Sequence, residues 1–544
     1  MQPNIQWFSP LALLPYAKMS HSSARSSWLS ILAPRDSADA TQFASGDVAF
    51  IILGATLVFF MIPVRPADGV HFTHQPRQSP GIRRVLAIFS VGRKLISFPA
   101  FLYSGLSRRK SALSLIWAVS GANAIVIFQW YFWGYSLAFS STATNGFIGN
   151  LANIGLRNVL GNPTVVAPSI PELLYALFQM EFACVTAAIL VGGIAERGRV
   201  FPAMVLTFLW VTLVYCPVAC WVWSKNGWAF KWGAIDFAGG GPVEIGSGVG
   251  GLALAWVLGR RSQDELLNFR PHNVSMVNLG TFILWLGWLS FNGGSAFGAN
   301  LRAIMAIWNS MLAAAFGGMT WVLLDFRLER RWSMVALCSG TIAGLVAATP
   351  SSGFVPSWGS VIVGILSGGL CNFATKVKFL VHIDDTLDLF AEHAVGGIVG
   401  LLCNGLFGSA TIAGLDGTTV ISGGWVDRNW KQLYIQIAYI AAAVTYTFTV
   451  TALLVKALDL AGLRLKLTPE EEKLGMDEVE IGEFATDYIE MRRNYMDGVS
   501  TPSENEAAPS AAGDRHAVPD VDIEKQSTEP SPSEEATEID EKKA

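Results

Sequence analysis

Charged residues are scarce in this sequence, since only 15% of its 544 residues are Asp, Glu, Lys or Arg. An ordinary soluble domain carries about a quarter. Basic segments interleaved with aromatic residues are also lacking outside the apolar runs, which excludes a nucleic-acid partner. The cysteines show no paired spacing, so the sequence predicts neither a disulfide framework nor a zinc site; they are Cys184, Cys216, Cys220, Cys338, Cys371 and Cys403.

Motifs for a nucleophile, a hydrolytic metal centre or a bound nucleotide are lacking as well. The sequence contains no HExxH, no GxSxG and no phosphate-binding glycine loop. We therefore expect no metal, no cofactor and no enzymatic activity, although a membrane-embedded enzyme is one alternative considered below.

Long apolar runs make up most of what is present. Hydrophobic residues account for 51% of the chain, and the mean hydropathy is +0.40. A helix needs roughly 20 apolar residues to cross the hydrocarbon core of a bilayer. The sequence therefore predicts an all-α integral membrane protein with eleven transmembrane helices, near residues 47–63, 112–140, 172–194, 202–223, 243–259, 276–296, 303–324, 334–349, 358–375, 386–408 and 433–459.

Basic residues are concentrated in alternate loops. They follow the first, third, fifth, seventh and ninth spans, as Arg108, Arg109 and Lys110; Arg197 and Arg199; Arg260 and Arg261; Arg327, Arg330 and Arg331; and Lys376 and Lys378. Loops rich in Lys and Arg stay in the cytoplasm. This pattern predicts an extracellular N-terminus, an odd number of spans and a cytoplasmic C-terminal tail, with membrane lipid around the apolar body.

The ends of the chain differ in composition from its apolar body. We expect residues 1–46 to be extracellular and disordered, and residues 47–463 to form the membrane domain. Residues 464–499 would form a cytoplasmic tail whose acidic segment 476–490 docks under that domain. Residues 500–544 are acidic, rich in Ser and Pro and nearly free of aromatics, which predicts disorder and access for kinases or other cytoplasmic regulators.

Two stretches 149 positions apart share the spacing of their anchor residues. Asp236 precedes Glu244 by eight positions, and Asp385 precedes His393 by eight. The stretches fall in the fifth and tenth spans, which predicts a five-plus-five inverted repeat with an extra C-terminal helix. Each aspartate is placed either to cap a helix N-terminus or to contact a substrate.

Glu244 and His393 are polar residues within apolar runs, and the repeat places them at corresponding depths. Charged groups inside a membrane cost roughly 2.5–3.5 kcal/mol on insertion scales, so they tend to face a partner or a pathway. One interpretation is a hydrogen-bonded pair that serves packing alone. The other is the polar lining of a conduit, which Gly248 and Gly397 favour because they permit close approach of helices.

A group of aromatic residues has the chemistry of a cation site. Phe178 and Phe182 are one helical turn apart, and Trp223 and Ser295 lie near the outer ends of their spans. Ring faces and a hydroxyl can bind a weakly hydrated cation by cation–π attraction and hydrogen bonding. The alternative is that these rings pack as ordinary span residues.

Six ordered segments resemble signature segments of the ammonium transporters of the Amt/Mep/Rh family, over about residues 112–490. They are WGYSLAFS (133–140), FQMEFACVTAAIL with AERGR (178–199), DFAGGGPVEI (236–245), LGWLSFNGGSA (286–296), CSGTIAGLVAATP (338–350) and DDTLDLFAEHAVGGIVG (384–400). The tail segment EIGEFATDY resembles fungal members in particular.

The resemblance implies a function and residue roles. It implies a plasma-membrane homotrimer with one conduit per subunit, which transports ammonium or methylammonium. Phe182, Trp223 and Ser295 would form an outer recruitment site, to which Phe178 contributes and which Asp236 supports. Phe182 and Phe291 would form a stacked gate, and Glu244 with His393 would form the proton relay of the pore. Most relatives have His at the position of Glu244, although some fungal members have Glu.

Val64–Pro99 departs from the family pattern. Deleting it joins FFMIP to AFLYSGL, close to the uninterrupted first helix of the family. One hypothesis is a translated retained intron or an error in the gene model; the other is a true basic loop.

Three functional alternatives remain beside electrogenic ammonium transport. They are an ammonium sensor that signals through the tail, an electroneutral Rh-like NH3 channel, and an enzyme that uses Glu244 and His393 as acid and base.

Overall fold

Helices account for nearly all regular structure in the residues that the computed structural model describes, which are 43–61, 98–261 and 270–485. Within those residues, extended pairing is limited to two isolated bridges, Pro163–Pro171 and Gly198–Lys466. Two short helices come first, α1 (Ser45–Phe60) and α2 (Phe98–Leu106).

Ten helices in this part of the chain are long and apolar enough to cross a membrane. In order they are α3 (Arg109–Phe139), α4 (Glu172–Ile194), α5 (Val200–Trp232), α6 (Gly240–Leu258), α7 (Val274–Gly294), α8 (Leu301–Glu329), α9 (Met334–Ser351), α10 (Ser357–Leu380), α11 (Phe390–Phe407) and α12 (Lys431–Leu460). A short helix, α13 (Pro469–Leu474), follows them. The regular helix of α5 ends at Trp223, before a separate turn at Trp228–Trp232.

The prediction of an all-α membrane protein is confirmed. Ten of the eleven predicted spans correspond to α3 to α12. The first predicted span, 47–63, corresponds to α1, which has 16 residues and is shorter than a helix that crosses the hydrocarbon core. The five-plus-five inverted repeat, which relates the two halves of the membrane domain, stays a prediction.

The short helices α1 and α2 pack against the same long helix, α7. Met61, at the end of α1, lies against Gly287. Near the end of α2, Gly105 O accepts a hydrogen bond at 3.2 Å from Asn273 N, just before α7. Since the contacts move toward the N-terminus of α7 as the chain advances, α1 and α2 together occupy the place of one antiparallel helix.

Five charged side chains form a buried network that joins the loops after α2, α4, α6 and α10. Glu196 accepts hydrogen bonds from Arg108 Nε at 2.9 Å and from Arg261. Arg261 holds Asp384 through two contacts of 2.8 Å, and Arg197 Nη1 lies 3.4 Å from the same carboxylate. Burial raises the pKa of Asp384, but hydrogen bonds from Arg261 and the charges of Arg197 and Arg261 outweigh it and lower the pKa to about 2. Asp384 is therefore ionised at neutral pH.

The start of the tail docks onto this end of the membrane helices. Asp477 accepts hydrogen bonds from Leu113 N at 3.0 Å and from Ser114 N at 2.7 Å, near the beginning of α3. Arg199 pairs with Glu471 at 2.6 Å and with Glu480 at 3.1 Å. Docking of the acidic tail segment is thus confirmed for its described residues.

Several expectations lie outside the described residues. These are the disordered N-terminus apart from residues 43–46, the insert apart from its last two residues, and the tail beyond residue 485.

Candidate functional site

A cavity of about 840 Å³ lies where α4, α5 and α7 meet the loops around them. Phe182, Trp223, Asp236 and Ser295 all contribute to its lining, so the structure brings four of the five residues expected at the cation site to one cavity. The fifth, Phe178, packs behind Phe182, with 5.0 Å between the ring centroids. Residues from four separate stretches of sequence therefore surround one space.

The rings at the floor of this cavity are stacked. Phe182 and Phe291 have ring centroids 3.9 Å apart and an angle of 21° between their planes. Trp223 meets Phe182 edge-on, at 5.7 Å and 87°. Both phenylalanines are 1% exposed. Phe182 borders the cavity while Phe291 lies behind it, so the stacked pair closes the cavity on this side.

Ser295 and Trp223 are held by their own hydrogen bonds. Ser295 Oγ donates to Phe291 O at 2.9 Å, which leaves the hydroxyl oxygen able to accept a hydrogen bond from the cavity. Trp223 Nε1 donates to Asp236 O at 3.0 Å. The indole is thereby fixed with its ring at the cavity wall, where an aromatic face attracts cations.

The two aspartates of the repeat cap the two central helices. The carboxylate of Asp236 accepts hydrogen bonds from the backbone amides of Gly239–Gly241 at 2.7–2.9 Å, and the Tyr439 hydroxyl lies 3.3 Å from it. Asp385 Oδ2 accepts from Phe390 N at 2.8 Å. Both aspartates therefore cap their helices, which was one of the two roles that the sequence left open, and the carboxylate of Asp236 is occupied by the protein backbone.

Each capped helix opens with a π-helical turn that carries one polar residue of the repeat. The turns span Gly240–Ile245 in α6 and Phe390–Ala394 in α11. His393 Nδ1 lies 2.8 Å from Glu244 Oε2 across the contact between them. A Cβ atom added to Gly397 would lie only 2.7 Å from Glu244 Cβ, so this approach requires a glycine.

Glu244 and His393 meet in a nearly dry setting. Glu244 is fully buried and His393 is 5% exposed. A hydrogen bond at this distance needs a proton on at least one partner, so the pair is either a carboxyl beside a neutral imidazole or a carboxylate beside a protonated or donating imidazole. Glu244 Oε1 has no hydrogen-bond partner among the described residues. The contact therefore joins two buried side chains that each have a site for a proton.

Three residues near the site were not singled out by sequence reasoning. Trp288 Nε1 donates to Thr349 Oγ1 at 2.8 Å, one helical turn from Phe291. Both residues lie in segments that carry the family resemblance, which was the available signal. Tyr439, beside Asp236, lies in the last span, where no motif pointed to it.

Comparison with known proteins agrees with the motifs. The model of the Ammonium Transporter Family matches residues 87–486. Ammonium transporter MEP3 of Saccharomyces cerevisiae is 52% identical over 462 residues, which cover 84% of this chain and 87% of the relative. Ammonium transporter 2 of Schizosaccharomyces pombe is 49% identical over 432 residues, which cover 75% and 84%.

Solved structures show the same relationship. The crystal structure of Saccharomyces cerevisiae Mep2 matches with a TM-score of 0.69 and 43% identity, over 79% of this chain and 92% of that one. A structure described as a sensor Amt protein matches with a TM-score of 0.65 and 27% identity, over 80% and 98%. Since the family match spans most of the sequence and the relatives are matched over most of their own length, the chain belongs to the ammonium transporter family.

Proposed function

We propose that this chain transports ammonium and that NH4+ is held in the cavity before it crosses. The rings of Phe182 and Trp223 attract the cation, and Ser295 Oγ accepts one of its hydrogen bonds. Phe178 supports Phe182 from behind. Asp236 acts without touching the ion, because its carboxylate is taken up by capping α6 and its carbonyl orients Trp223. Methylammonium has the same charge and donor chemistry and fits the same site.

The stacked rings of Phe182 and Phe291 act as the gate. NH4+ loses its water and one proton there, NH3 continues along the apolar path, and the proton passes through Glu244 and His393. Net charge then crosses with each ammonium. The observation that carries this proposal is the 2.8 Å contact between His393 Nδ1 and Glu244 Oε2, two buried polar groups in otherwise apolar helices.

Ammonium-evoked current in proteoliposomes tests this proposal. The purified chain is reconstituted, an ammonium gradient is applied, and current and methylammonium uptake are measured together. A saturable current with uptake is expected. Uptake without current would favour the electroneutral NH3 channel, and the absence of both would refute ammonium transport.

A sensor role is a second candidate, supported by the docked tail and by the likeness to a sensor Amt protein. Ammonium bound at the cavity would change the contacts of Arg199 with Glu471 and Glu480. Hydrogen–deuterium exchange of residues 465–485 with and without ammonium tests it, and equal exchange in both conditions would contradict signalling through the tail.

The surrounding organisation belongs to the same proposal. We place the chain in the plasma membrane as a homotrimer, on the strength of its family. The charges of its loops put the N-terminus outside and the tail inside. Residues 47–463 form the transporting domain and residues 464–499 form its regulatory tail. The relatives are named as transporters, so an enzymatic role for Glu244 and His393 is set aside.

A further inference from the structure

Arg302 is a buried cation in the wall of the cavity. It stands at the start of α8, contributes to the cavity lining and is 5% exposed. Its guanidinium carbon lies 4.8 Å from the ring centroid of Phe237 and 4.7 Å from that of Phe354. The two rings thus form an aromatic cage that this side chain already fills.

The guanidinium also joins three parts of the chain by hydrogen bonds. Arg302 Nε donates to Gly353 O at 2.9 Å, just after α9. Arg302 Nη1 donates to Asp416 Oδ2 at 2.8 Å and to Thr419 Oγ1 at 2.9 Å, in the loop before α12. Asp416 Oδ1 in turn accepts from the backbone amides of Thr418 and Thr419. A planar fork with several donors suits such a junction, whereas a single ammonium does not.

The residues that Arg302 joins are connected to the proposed ammonium site through Phe237. Phe237, which the guanidinium covers, follows Asp236, whose carbonyl holds the indole of Trp223. The backbone of this segment is held as well, because Phe237 N donates to Pro350 O at 3.1 Å and Ala238 N donates to Thr349 O at 3.0 Å. A shift of Phe237 therefore moves the backbone that orients Trp223.

We propose that Arg302 is a positioning residue for ammonium binding, which fastens Phe237 and the loop of Asp416 so that the cavity wall keeps Trp223 in place. This inference rests on the proposed function. Arg302 does not bind the substrate itself, since Nε and Nη1 donate to the protein and the charge of the guanidinium repels that of the ion.

Transport kinetics of four variants test the inference. Arg302→Gln, Arg302→Lys and Thr419→Val should each raise the KM for ammonium, by about tenfold for the first, while the maximal current stays within about twofold. The double variant Arg302→Gln with Asp416→Asn should not recover the wild-type KM. Arg428→Gln, an exposed arginine in the following turn, is the matched control and should leave KM unchanged.

Two kinetic outcomes would overturn the inference. A wild-type KM in Arg302→Lys would mean that the forked hydrogen bonds are not needed. A wild-type KM in the double variant would mean that Arg302 serves only to neutralise the charge of Asp416.

Amide exchange separates this inference from the proposed function. The amides of residues 237 and 238 should exchange at least about tenfold faster in Arg302→Gln than in the wild type, and no faster in Arg428→Gln. This readout needs no transport, so it stands even if the wild type carries no current. Unchanged protection in Arg302→Gln would overturn the positioning role.

Discussion

His393 Nδ1 and Glu244 Oε2 are in hydrogen-bond contact at 2.8 Å although the two residues are 149 positions apart. Each is carried by a π-helical turn at the start of a different helix, and each turn is capped by an aspartate of its own. The contact therefore depends on the N-terminal turns of both α6 and α11, which approach each other at Gly397.

Glu244→Gln should abolish most of the ammonium-evoked current. An amide keeps the shape of the carboxyl but cannot take up a proton, so we expect the current to fall roughly hundredfold, the usual size of a proton-transfer contribution. Uptake of methylammonium measured beside the current shows whether neutral flux persists. Glu172→Gln, which alters a carboxyl that bonds Tyr135 at 2.7 Å, is the control. An unchanged current and pH profile in Glu244→Gln would show that the pair is no relay.

Phe291→Leu should reduce selectivity more than it reduces flux. Removing one ring of the pair stacked at 3.9 Å opens the floor of the cavity, and the ratio of ammonium current to K+ current should fall roughly tenfold or more. Ion-substitution currents in proteoliposomes measure this ratio. Phe128→Leu, on the exposed face of α3, serves for comparison. Retained selectivity in Phe291→Leu would place the barrier elsewhere.

Asp384 should make the stability of the protein sensitive to acid. Its pKa is about 2 in the folded protein and about 3.9 in an unfolded chain, so its contribution is present above pH 3.9 and is lost as the pH falls toward 2. The loss amounts to about 2–3 kcal/mol in the free energy of unfolding. Thermal melts followed by tryptophan fluorescence between pH 7 and pH 2.5 record it.

Asp384→Asn gives the matching test of that network. It leaves Arg261 and Arg197 without their shared carboxylate, so the midpoint of unfolding should drop at pH 7 and its decline below about pH 4 should become shallower. Glu329→Gln, at an exposed carboxyl, should change neither. Equal acid sensitivity in the wild type and Asp384→Asn would assign the transition to other groups.

Asp477→Asn should loosen the tail. The carboxylate receives two backbone amides and the Ser114 hydroxyl, and loss of such a cap costs about 1 kcal/mol. Hydrogen–deuterium exchange across residues 465–485 should rise roughly fivefold, whereas Glu478→Gln should leave it unchanged. Identical protection in both variants would mean that other contacts, such as those of Arg199 with Glu471 and Glu480, are sufficient to hold the tail.

Deletion of Val64–Pro99 should give a folded transporter with at least the activity of the full chain. Because α1 and α2 already lie end to end along α7, joining them restores one helix in the same place. Unfolding temperature and ammonium current measure the effect. A control replaces the 36 residues by a Gly-Ser linker of equal length, which keeps the break.

Loss of folding in the deletion, with a stable linker control, would show that the break belongs to the native fold. Sequencing of the transcript settles the origin of the segment, since a continuous message encoding Arg83 and Arg84 would contradict a retained intron.

Hydropathy was sufficient to predict the long helices, and equal spacing was sufficient to pair Glu244 with His393. Hydropathy is a property of a single segment, and equal spacing is found by comparing two segments. Neither requires knowledge of how the helices pack. The stacking of Phe182 on Phe291 was expected only through the family resemblance. Nothing in the composition of α4 or α7 says which of their many aromatic residues face each other.

Arg302 shows what sequence patterns miss. Its partners Phe237, Gly353 and Asp416 are spread over distant loops, and a single arginine at the start of a span reads as an ordinary boundary residue. The π-helical turns were missed for a related reason, because one additional residue in a helical turn leaves hydrophobic periodicity almost unchanged.

Those turns make the contact between Glu244 and His393 sensitive to the length of the chain. A π-turn holds one residue more than an α-turn, and loss of one residue from Gly240–Ile245 would return α6 to regular winding. The side chain of Glu244 would then swing by about 100° around the helix axis, away from His393. A homologue could keep both polar residues and still be unable to form the hydrogen bond between them if it lacked one residue of this turn. In this protein, the contact between Glu244 and His393 depends on the number of residues before Glu244 as much as on the two side chains themselves.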